Sequence, residues 1–171
     1  VVDPVSINVI SNVADDVEMF GLHVSPDTDI VIYSLAGLVN QEVGWGLEGD
    51  TFVVADSLRR FGYERWFNLG DRDLATAVHR TRLLRQGCPM HEIVAELAEA
   101  FGISTTILPV TNERVATYVL TSEGELAFQD YMVRLATAPD VTGVRFSGAE
   151  QAAPAPGVLE AIPVSYTHLT L

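Results

Sequence analysis

The chain of 171 residues is acidic, with a formal net charge of −13, 48% hydrophobic residues and 19% charged residues. This composition indicates a globular domain with a sizeable core, and it excludes a nucleic-acid partner, because phosphate backbones are bound by clustered lysine and arginine. No apolar run is long enough to cross a membrane, so no membrane partner is expected, and the single cysteine, Cys88, favours a reducing compartment and a cytoplasmic protein.

Strand and helix patterns alternate along the first part of the chain. The clearest helix has Ile93, Val94, Leu97, Ala98 and Phe101 on one face and glutamates away from it. In chain order, the patterns predict a strand over residues 5–13, a buried helix over 29–39, a loop over 44–49, a helix over 51–61 stopped by Gly62, a short strand over 65–69, and helices over 74–86 and 90–101.

The last part of the chain has a different character, because strand patterns dominate it. Residues 122–124 read as a hairpin connection between two of these strands. The mixture of elements indicates an α/β or α+β fold. The predicted elements are strands over residues 105–110, 114–121, 125–135 and 141–146, followed by a helix over 156–162.

Both ends of the chain are unusual. The sequence begins without methionine, and residues 163–171 match neither the pattern nor the composition of the helical stretch before them. These last residues resemble a translated sequencing adapter. We therefore expect residues 1–162 to be part of a domain that is truncated at both ends, and residues 163–171 to be a non-native tail; the alternative is a genuine C-terminal strand.

Two acidic pairs stand at predicted element boundaries. Asp15 and Asp16 end the first strand, where ligands bind in open α/β sheets, although a turn or a helix cap explains such a pair equally well. Asp27 and Asp29 stand at the start of the predicted buried helix, where one of them is explained fully as an N-cap. The spacing alone leaves both readings open.

The Gly70-Asp71-Arg72-Asp73 turn is the strongest motif of the chain. Gly70 permits a close backbone approach, and a helix that begins near Leu74 offers free N–H groups to an anion. The Arg72 guanidinium can bind a phosphate with two donors. A surface arginine–aspartate pair is the alternative.

The histidine and tryptophan residues are weaker indications of a functional site. His23 lies close to the acidic pairs and can line a pocket or pack in the core, whereas His79, beside Arg80, is expected to be solvated. Trp45, within Gly-Trp-Gly, can stack on a flat ring or anchor its loop. The spacing of histidines and the lone cysteine excludes a zinc site, and no motif assembles a Ser-His-Asp triad.

Taken together and in order, these residues resemble the 2-phospho-L-lactate transferase family, whose actinobacterial members use a phosphoenolpyruvyl group. The resemblance runs from about residue 9 to residue 162, and it is the joint order of the motifs that makes it specific. The motifs are Asn-Val-Ala-Asp-Asp at 12–16, residues 18–27, Gly-Trp-Gly at 44–46, residues 66–76, Leu-Pro at 108–109, residues 128–131, residues 146–149 and residues 154–162.

The resemblance implies a Rossmann-like α/β core with an added helical and β region. It also implies an enzyme of coenzyme F-420 biosynthesis. A guanosine diphosphate carrying a lactyl or enolpyruvyl group would be the donor, and the terminal ribityl hydroxyl of a deazaflavin precursor would attack its phosphorus, so that GMP leaves. The family needs a divalent cation, usually Mg²⁺, and the full-length protein is expected to form a homodimer.

The resemblance also implies roles for residues of this chain. We expect catalytic roles for Asp15, Asp16, Asp71 and Arg72, with one acid orienting or deprotonating the hydroxyl and the arginine stabilising charge on the diphosphate. The substrate-binding candidates are Asn12, His23, Trp45 and Asp73, and the metal-binding candidates are Asp15, Asp16, Asp27 and Asp29.

The chain departs from the family pattern in a few places. Ala14 stands where the family usually has glycine, and Asn112-Glu113 stands where it has an acidic pair. The family's N-terminal glycine-rich nucleotide loop and its C-terminal half are absent. The alternatives to the transferase are a nucleotide-binding regulatory protein of the related gluconeogenesis-factor type and an inactive fragment.

Overall fold

Two parallel strands form the sheet on which the main helices pack. β1 (Asn8–Ser11) pairs with β4 (Thr106–Pro109), so that Ile10 lies opposite Leu108. The structure is a computed structural model that describes residue 3 and residues 6–162. The predicted tail over residues 163–171 lies outside the described residues. Because the connection between β1 and β4 is mostly helical, the pair is the parallel unit of an α/β fold.

Five α-helices were found in the described part of the chain, and their positions agree broadly with the patterns. The predicted face of the fourth helix is confirmed, since Ile93 and Val94 are fully buried while its glutamates are exposed. None of these helices is long and apolar enough to cross a membrane. They are α1 (Pro26–Leu35), α2 (Val53–Leu58), α3 (Asp71–Arg85), α4 (Met90–Ala100) and α5 (Val158–Ala161).

Two of these helices begin three residues earlier than predicted. α1 starts at Pro26, a favourable first residue because its ring fixes φ and it has no N–H to leave unpaired. Asp27 and Asp29 therefore lie within the first turn, and the prediction that either is the N-cap was wrong, because Ser25 holds that position. α3 starts at Asp71, so the acids and arginine of the motif belong to its first turn rather than to a free turn.

A short hairpin follows β1, and the patterns did not predict it. β2 (Val17–Met19) and β3 (Leu22–Val24) pair in antiparallel fashion around Phe20 and Gly21, whose φ angles are +55° and +73°. Two positive φ values suit the right-handed twist of the strands. Phenylalanine is unusual in such a turn, and the sequence signal for a hairpin was therefore missing.

The predicted strand over residues 65–69 is wrong. These residues form an irregular segment without a strand partner, because they pack side chains rather than pair their backbone. Leu69 is buried in a cluster with Met19, Val24, Leu74 and Ala77, which joins the hairpin to α3. The apolar residues of this segment, which predicted a strand, hold it by side-chain packing instead.

A third sheet has three antiparallel strands in the order β6-β5-β7, formed by Gly124–Ala127, Ala116–Thr121 and Val141–Ser147. The predicted strand over residues 125–135 is wrong beyond Ala127, where the chain turns and enters a π-helix over Asp130–Arg134. Gln129, between the two, is drawn inward and hydrogen-bonded to the chain after β1. This contact, far away in sequence, explains why the strand ends.

Candidate active site

The acids after β1 and at the start of α1 meet at the carboxyl end of the parallel strands. The Asn12 Nδ2 amide donates to Asp15 Oδ1 at 2.8 Å and to Asp27 Oδ2 at 2.9 Å, so it joins the two carboxyl groups. Asn12 Oδ1 accepts a hydrogen bond from the Ala14 backbone N–H at 3.0 Å and fixes this turn. We call Asp15 and Asp27 the acid pair.

The surroundings of the acid pair change the pKa of Asp15. Burial raises the pKa of Asp15 to about 7, and the negative charge of Asp27 acts in the same direction. The Asp15 side chain also contacts the Gln129 Nε2 amide at 3.3 Å, and the same amide donates to the Asp15 carbonyl at 3.2 Å. Near neutral pH, Asp15 is therefore poised between its protonated and ionised forms.

Asp16 makes its hydrogen bonds to residues other than those that hold the acid pair. Its Oδ2 lies 2.8 Å from His23 Nε2, and its Oδ1 accepts a hydrogen bond from Ser25 Oγ at 2.6 Å. Asp16 and His23 line a small cleft of about 170 Å³ together with Arg114. Both oxygens of the Asp16 carboxylate thus have partners within the chain.

Asp29 is buried and paired with Arg80. The guanidinium donates to both carboxylate oxygens of Asp29 and, at 3.3 Å, to the His23 carbonyl. Arg80 is fully buried, although no role was predicted for it. Its position on α3, one turn after Ala77 and one turn before Leu84, follows the buried stripe of the helix, and this spacing was the signal that was missed.

A larger cleft of about 480 Å³ opens next to the acid pair. Its walls carry Trp45 from the glycine-rich loop and Met132 and Val133 from the π-helix, and each of these three is more than 40% exposed. Gln129 lines the cleft and contacts Asp15, so it connects the cleft to the acid pair. The other lining residues include Ile30, Tyr33, Phe67, Asn68, Leu69 and Asp73.

Asp73 provides a carboxyl group in the wall of this apolar cleft. Burial raises its pKa to about 6, against the hydrogen bonds from the Gly70 N–H and from Tyr33. Tyr33 is itself buried, and its hydroxyl oxygen lies 3.1 Å from Thr76 Oγ1. Asp73 therefore presents a hydrogen-bonding group that changes charge near physiological pH.

Asp71 and Arg72 make contacts that the sequence did not predict. The Asp71 carboxylate accepts hydrogen bonds at the start of α2, and these bonds lower its pKa, the one from Thr51 most strongly. Arg72 donates from Nη1 to the Glu48 carbonyl at 3.0 Å. The prediction that the first N–H groups of α3 are free for an anion was wrong, because the Asp50 carboxylate accepts from those of Arg72 and Asp73.

The family model described as 2-phospho-L-lactate transferase CofD matches residues 3–165. The chain belongs to the 2-phospho-L-lactate transferase family. It is 40% identical over 162 residues to the 2-phospho-L-lactate transferase of Methanothermobacter thermautotrophicus, and this match covers 95% of the chain and 52% of the relative. It is 43% identical over 161 residues to the phosphoenolpyruvate transferase of Streptomyces griseus, with 91% and 51% covered.

The chain spans about half the length of these relatives of the 2-phospho-L-lactate transferase family. Its fold also resembles the crystal structure of a UPF0052 family member from Bacillus halodurans, with a TM-score of 0.54 at 16% identity, over 92% of this chain and 47% of that one. At this identity the likeness concerns the fold alone. The predicted family and the Rossmann-like α/β class are both confirmed.

The 2-phospho-L-lactate transferase resemblance implied Mg²⁺, and the acid pair fits such an ion in part. In the described part of the chain, no group of three or more histidine, cysteine, aspartate or glutamate side chains forms a metal site. Mg²⁺, however, usually takes only one or two carboxylates and completes its shell with water and substrate phosphates. Two adjacent carboxyl groups, with the Asp15 pKa raised by burial and by the charge of Asp27, are a suitable start for such a shell.

Proposed function

We propose that this chain is part of a transferase of coenzyme F-420 biosynthesis. The enzyme would move a phospholactyl or phosphoenolpyruvyl group from a guanosine diphosphate donor to the terminal ribityl hydroxyl of a deazaflavin precursor and release GMP. The observation that carries the proposal is the position of Gln129, which lines the apolar cleft and also contacts Asp15. A flat acceptor in the cleft would thus reach the acid pair with its polar tail.

The cleft suits the deazaflavin ring. Its volume of about 480 Å³ lies in the range of pockets for small cofactors. Trp45 and Phe67 offer aromatic surface for stacking, and Met132 and Val133 offer apolar contact from the opposite element. The exposure of Trp45, Met132 and Val133 is explained if a ring covers them in the complex.

The acid pair suits the proton transfer. In the reaction, the ribityl oxygen forms a bond to phosphorus, the bond from phosphorus to the GMP oxygen breaks, and the hydroxyl proton must be accepted. Asp15, with a pKa of about 7, can accept this proton at neutral pH. Asn12 and Gln129 orient its carboxyl group through the hydrogen bonds already described.

Asp15 and Asp27 would also be the residues that hold Mg²⁺, since Asp16 and Asp29 are engaged by His23 and Arg80. The ion, when bound, would neutralise charge on the diphosphate. Arg72 uses one of its donors on the Glu48 carbonyl, and a guanidinium has five, so it retains donors for a phosphate. Asp15 can take either role in this proposal, as the base or as a ligand of the ion.

Substitution of Asp15 tests the proposal in the full-length protein. We expect Asp15→Asn to lower turnover with the deazaflavin precursor, guanylated donor and Mg²⁺ at least tenfold, about 1.4 kcal/mol of barrier. Asp140→Asn, which removes the same charge from an exposed position, should leave the rate unchanged. A near-normal rate in Asp15→Asn would remove this acid from the mechanism.

A further inference from the structure

The first turns of α2 and α3 cap each other. The Asp71 carboxylate accepts from Thr51 Oγ1 at 2.6 Å and from the backbone N–H groups of Val53 and Val54 at 3.0 and 2.9 Å. In return, the Asp50 carboxylate accepts from the backbone N–H groups of Arg72 at 3.0 Å and of Asp73 at 3.3 Å. We call this exchange between Asp50 and Asp71 the reciprocal cap.

The backbone around Gly70 leaves space for the reciprocal cap. A Cβ atom at Gly70 would lie only 2.2 Å from Asp50 Oδ2, so any side chain there would displace the carboxylate. Two further bonds join the same segments, from the Asp71 N–H to the Thr51 carbonyl at 2.7 Å and from Arg72 Nη1 to the Glu48 carbonyl at 3.0 Å. Residues 48–54 are thus attached firmly to the start of α3.

The attached segments carry two walls of the large cleft. Trp45 and Gly46 precede Asp50 in the same loop, while Leu69 and Asp73 flank the Gly70 position, and all four line the cleft. A Cβ atom at Gly46 would lie 3.8 Å from Asp73 Oδ2, so the loop and the first turn of α3 approach each other closely. The reciprocal cap is therefore one of the contacts that set the separation of Trp45 from Asp73.

We propose that Asp50 is a positioning residue for the acceptor: its carboxylate holds the loop over residues 44–50 against α3, so that Trp45 and Asp73 form one preorganised binding surface. The identity of the acceptor rests on the proposed function. Asp50 does not line the cleft, and it acts through the backbone of Arg72 and Asp73. Preorganisation of this kind lowers the cost of ordering the site on binding.

Substitution of Asp50 in the full-length protein tests this role. Asp50→Ala should raise the Kd of the deazaflavin precursor, measured by fluorescence titration without donor, and its KM about tenfold. Turnover at saturating acceptor and the KM of the donor should stay within twofold, because the acid pair is untouched. Asp50→Asn, which keeps a capping oxygen, should recover most of the affinity. The matched control is Glu42→Ala, an exposed acid in the preceding loop segment, which should bind normally.

Gly70→Ala gives an independent test, because it leaves the carboxylate but removes its space. It should weaken acceptor binding as Asp50→Ala does, and the double variant should bind no more weakly than either single variant. If Asp50→Ala does not fold, Gly70→Ala and Asp50→Asn provide the comparison. Normal acceptor binding in a folded Asp50→Ala or Gly70→Ala variant would overturn the proposal. A tenfold rise in the donor KM or a tenfold fall in turnover would also overturn it.

A measurement without ligand separates this inference from the proposed function. Amide hydrogen exchange over residues 44–50 should become faster in Asp50→Ala than in the wild type, and it should not change in Glu42→Ala. If the wild type does not bind the deazaflavin precursor, the proposed function fails, and the exchange data still decide whether Asp50 holds the loop. Unchanged exchange would overturn the role of Asp50 whatever the ligand is.

Discussion

Asp15 couples protonation to the stability of the fold. Its pKa of about 7 in the folded chain stands above its ordinary value of 3.8, so the folded state binds a proton that the unfolded chain has already released. The carboxyl group therefore destabilises the fold progressively as the pH rises through this interval, and the loss is complete above about 7. Burial causes most of this cost, and the part that comes from the negative charge of Asp27 is removed if that charge is removed or neutralised.

Asp27→Asn removes that neighbouring charge and keeps an acceptor for Asn12. We expect the pKa of Asp15 to fall, and each unit of decrease should stabilise the fold at pH 8 by about 1.4 kcal/mol. At pH 4, where Asp15 holds its proton and carries no charge to repel Asp27, the variant and the wild type should differ little. Urea unfolding at the two pH values measures this, with Asp140→Asn as the control. An equal effect at both pH values would contradict the coupling.

Among the elements, α1 and α3 are joined by a buried charge pair. Asp29 on α1 and Arg80 on α3 meet with almost no exposure to water, and Arg80 also reaches the His23 carbonyl in β3. Taking such charges out of water is costly, so the pair contributes little net stability while intact. Removal of only one of the two charged side chains destabilises the fold strongly, because the other charge then stays buried without a partner.

Arg80→Met should for this reason destabilise the fold by about 3–5 kcal/mol. Arg82→Met, on the exposed side of the same helix, should change the free energy of unfolding by less than about 0.5 kcal/mol. The double variant Asp29→Leu with Arg80→Met should recover much of the loss, since no charge is left unpaired. Urea unfolding of all three checks this, and a cost below about 1 kcal/mol in Arg80→Met would show that Asp29 finds another partner.

The elements also show what a sequence can predict. The burial of Ile93 and Val94 on α4 follows from spacing alone, because local periodicity decides which face packs. The end of β6 at Ala127 and the burial of Arg80 depend on contacts with Asp15 and Asp29, which are far away in the chain. Local patterns contain no such information, and these features were missed for that reason.

In the site, too, local patterns predicted some features and distant contacts decided others. Four acids were selected from the sequence as two neighbouring pairs, Asp15 with Asp16 and Asp27 with Asp29. In the structure, Asp15 and Asp27 are joined through Asn12, whereas Asp16 contacts His23 and Asp29 contacts Arg80. Asp50 and Gln129 were not selected, because their roles arise only when the loop contacts α3 and when the residue before the π-helix contacts the chain after β1. The catalytic, metal and substrate roles, Mg²⁺ and the homodimer stay predictions.

At the scale of the whole molecule, the chain contains the acid pair and the apolar cleft but only about half the length of its relatives. We expect the isolated chain to bind the deazaflavin precursor and to show no transfer, because the resemblance places further nucleotide contacts outside it. Turnover assays with guanylated donor and Mg²⁺, beside the full-length protein as the positive control, measure this. Transfer by the isolated chain would contradict the expectation.

The space at Gly70 has a consequence for how this protein can diverge. The Asp50 carboxylate occupies the space that a side chain at position 70 would need. The two positions are therefore not free to change independently. In a descendant that acquires alanine or serine at position 70, the new Cβ atom clashes with the carboxylate at position 50 unless that acid has been shortened or lost. The two sites should therefore be inherited as a matched set, and their joint substitution pattern across descendants would record the geometry of this contact.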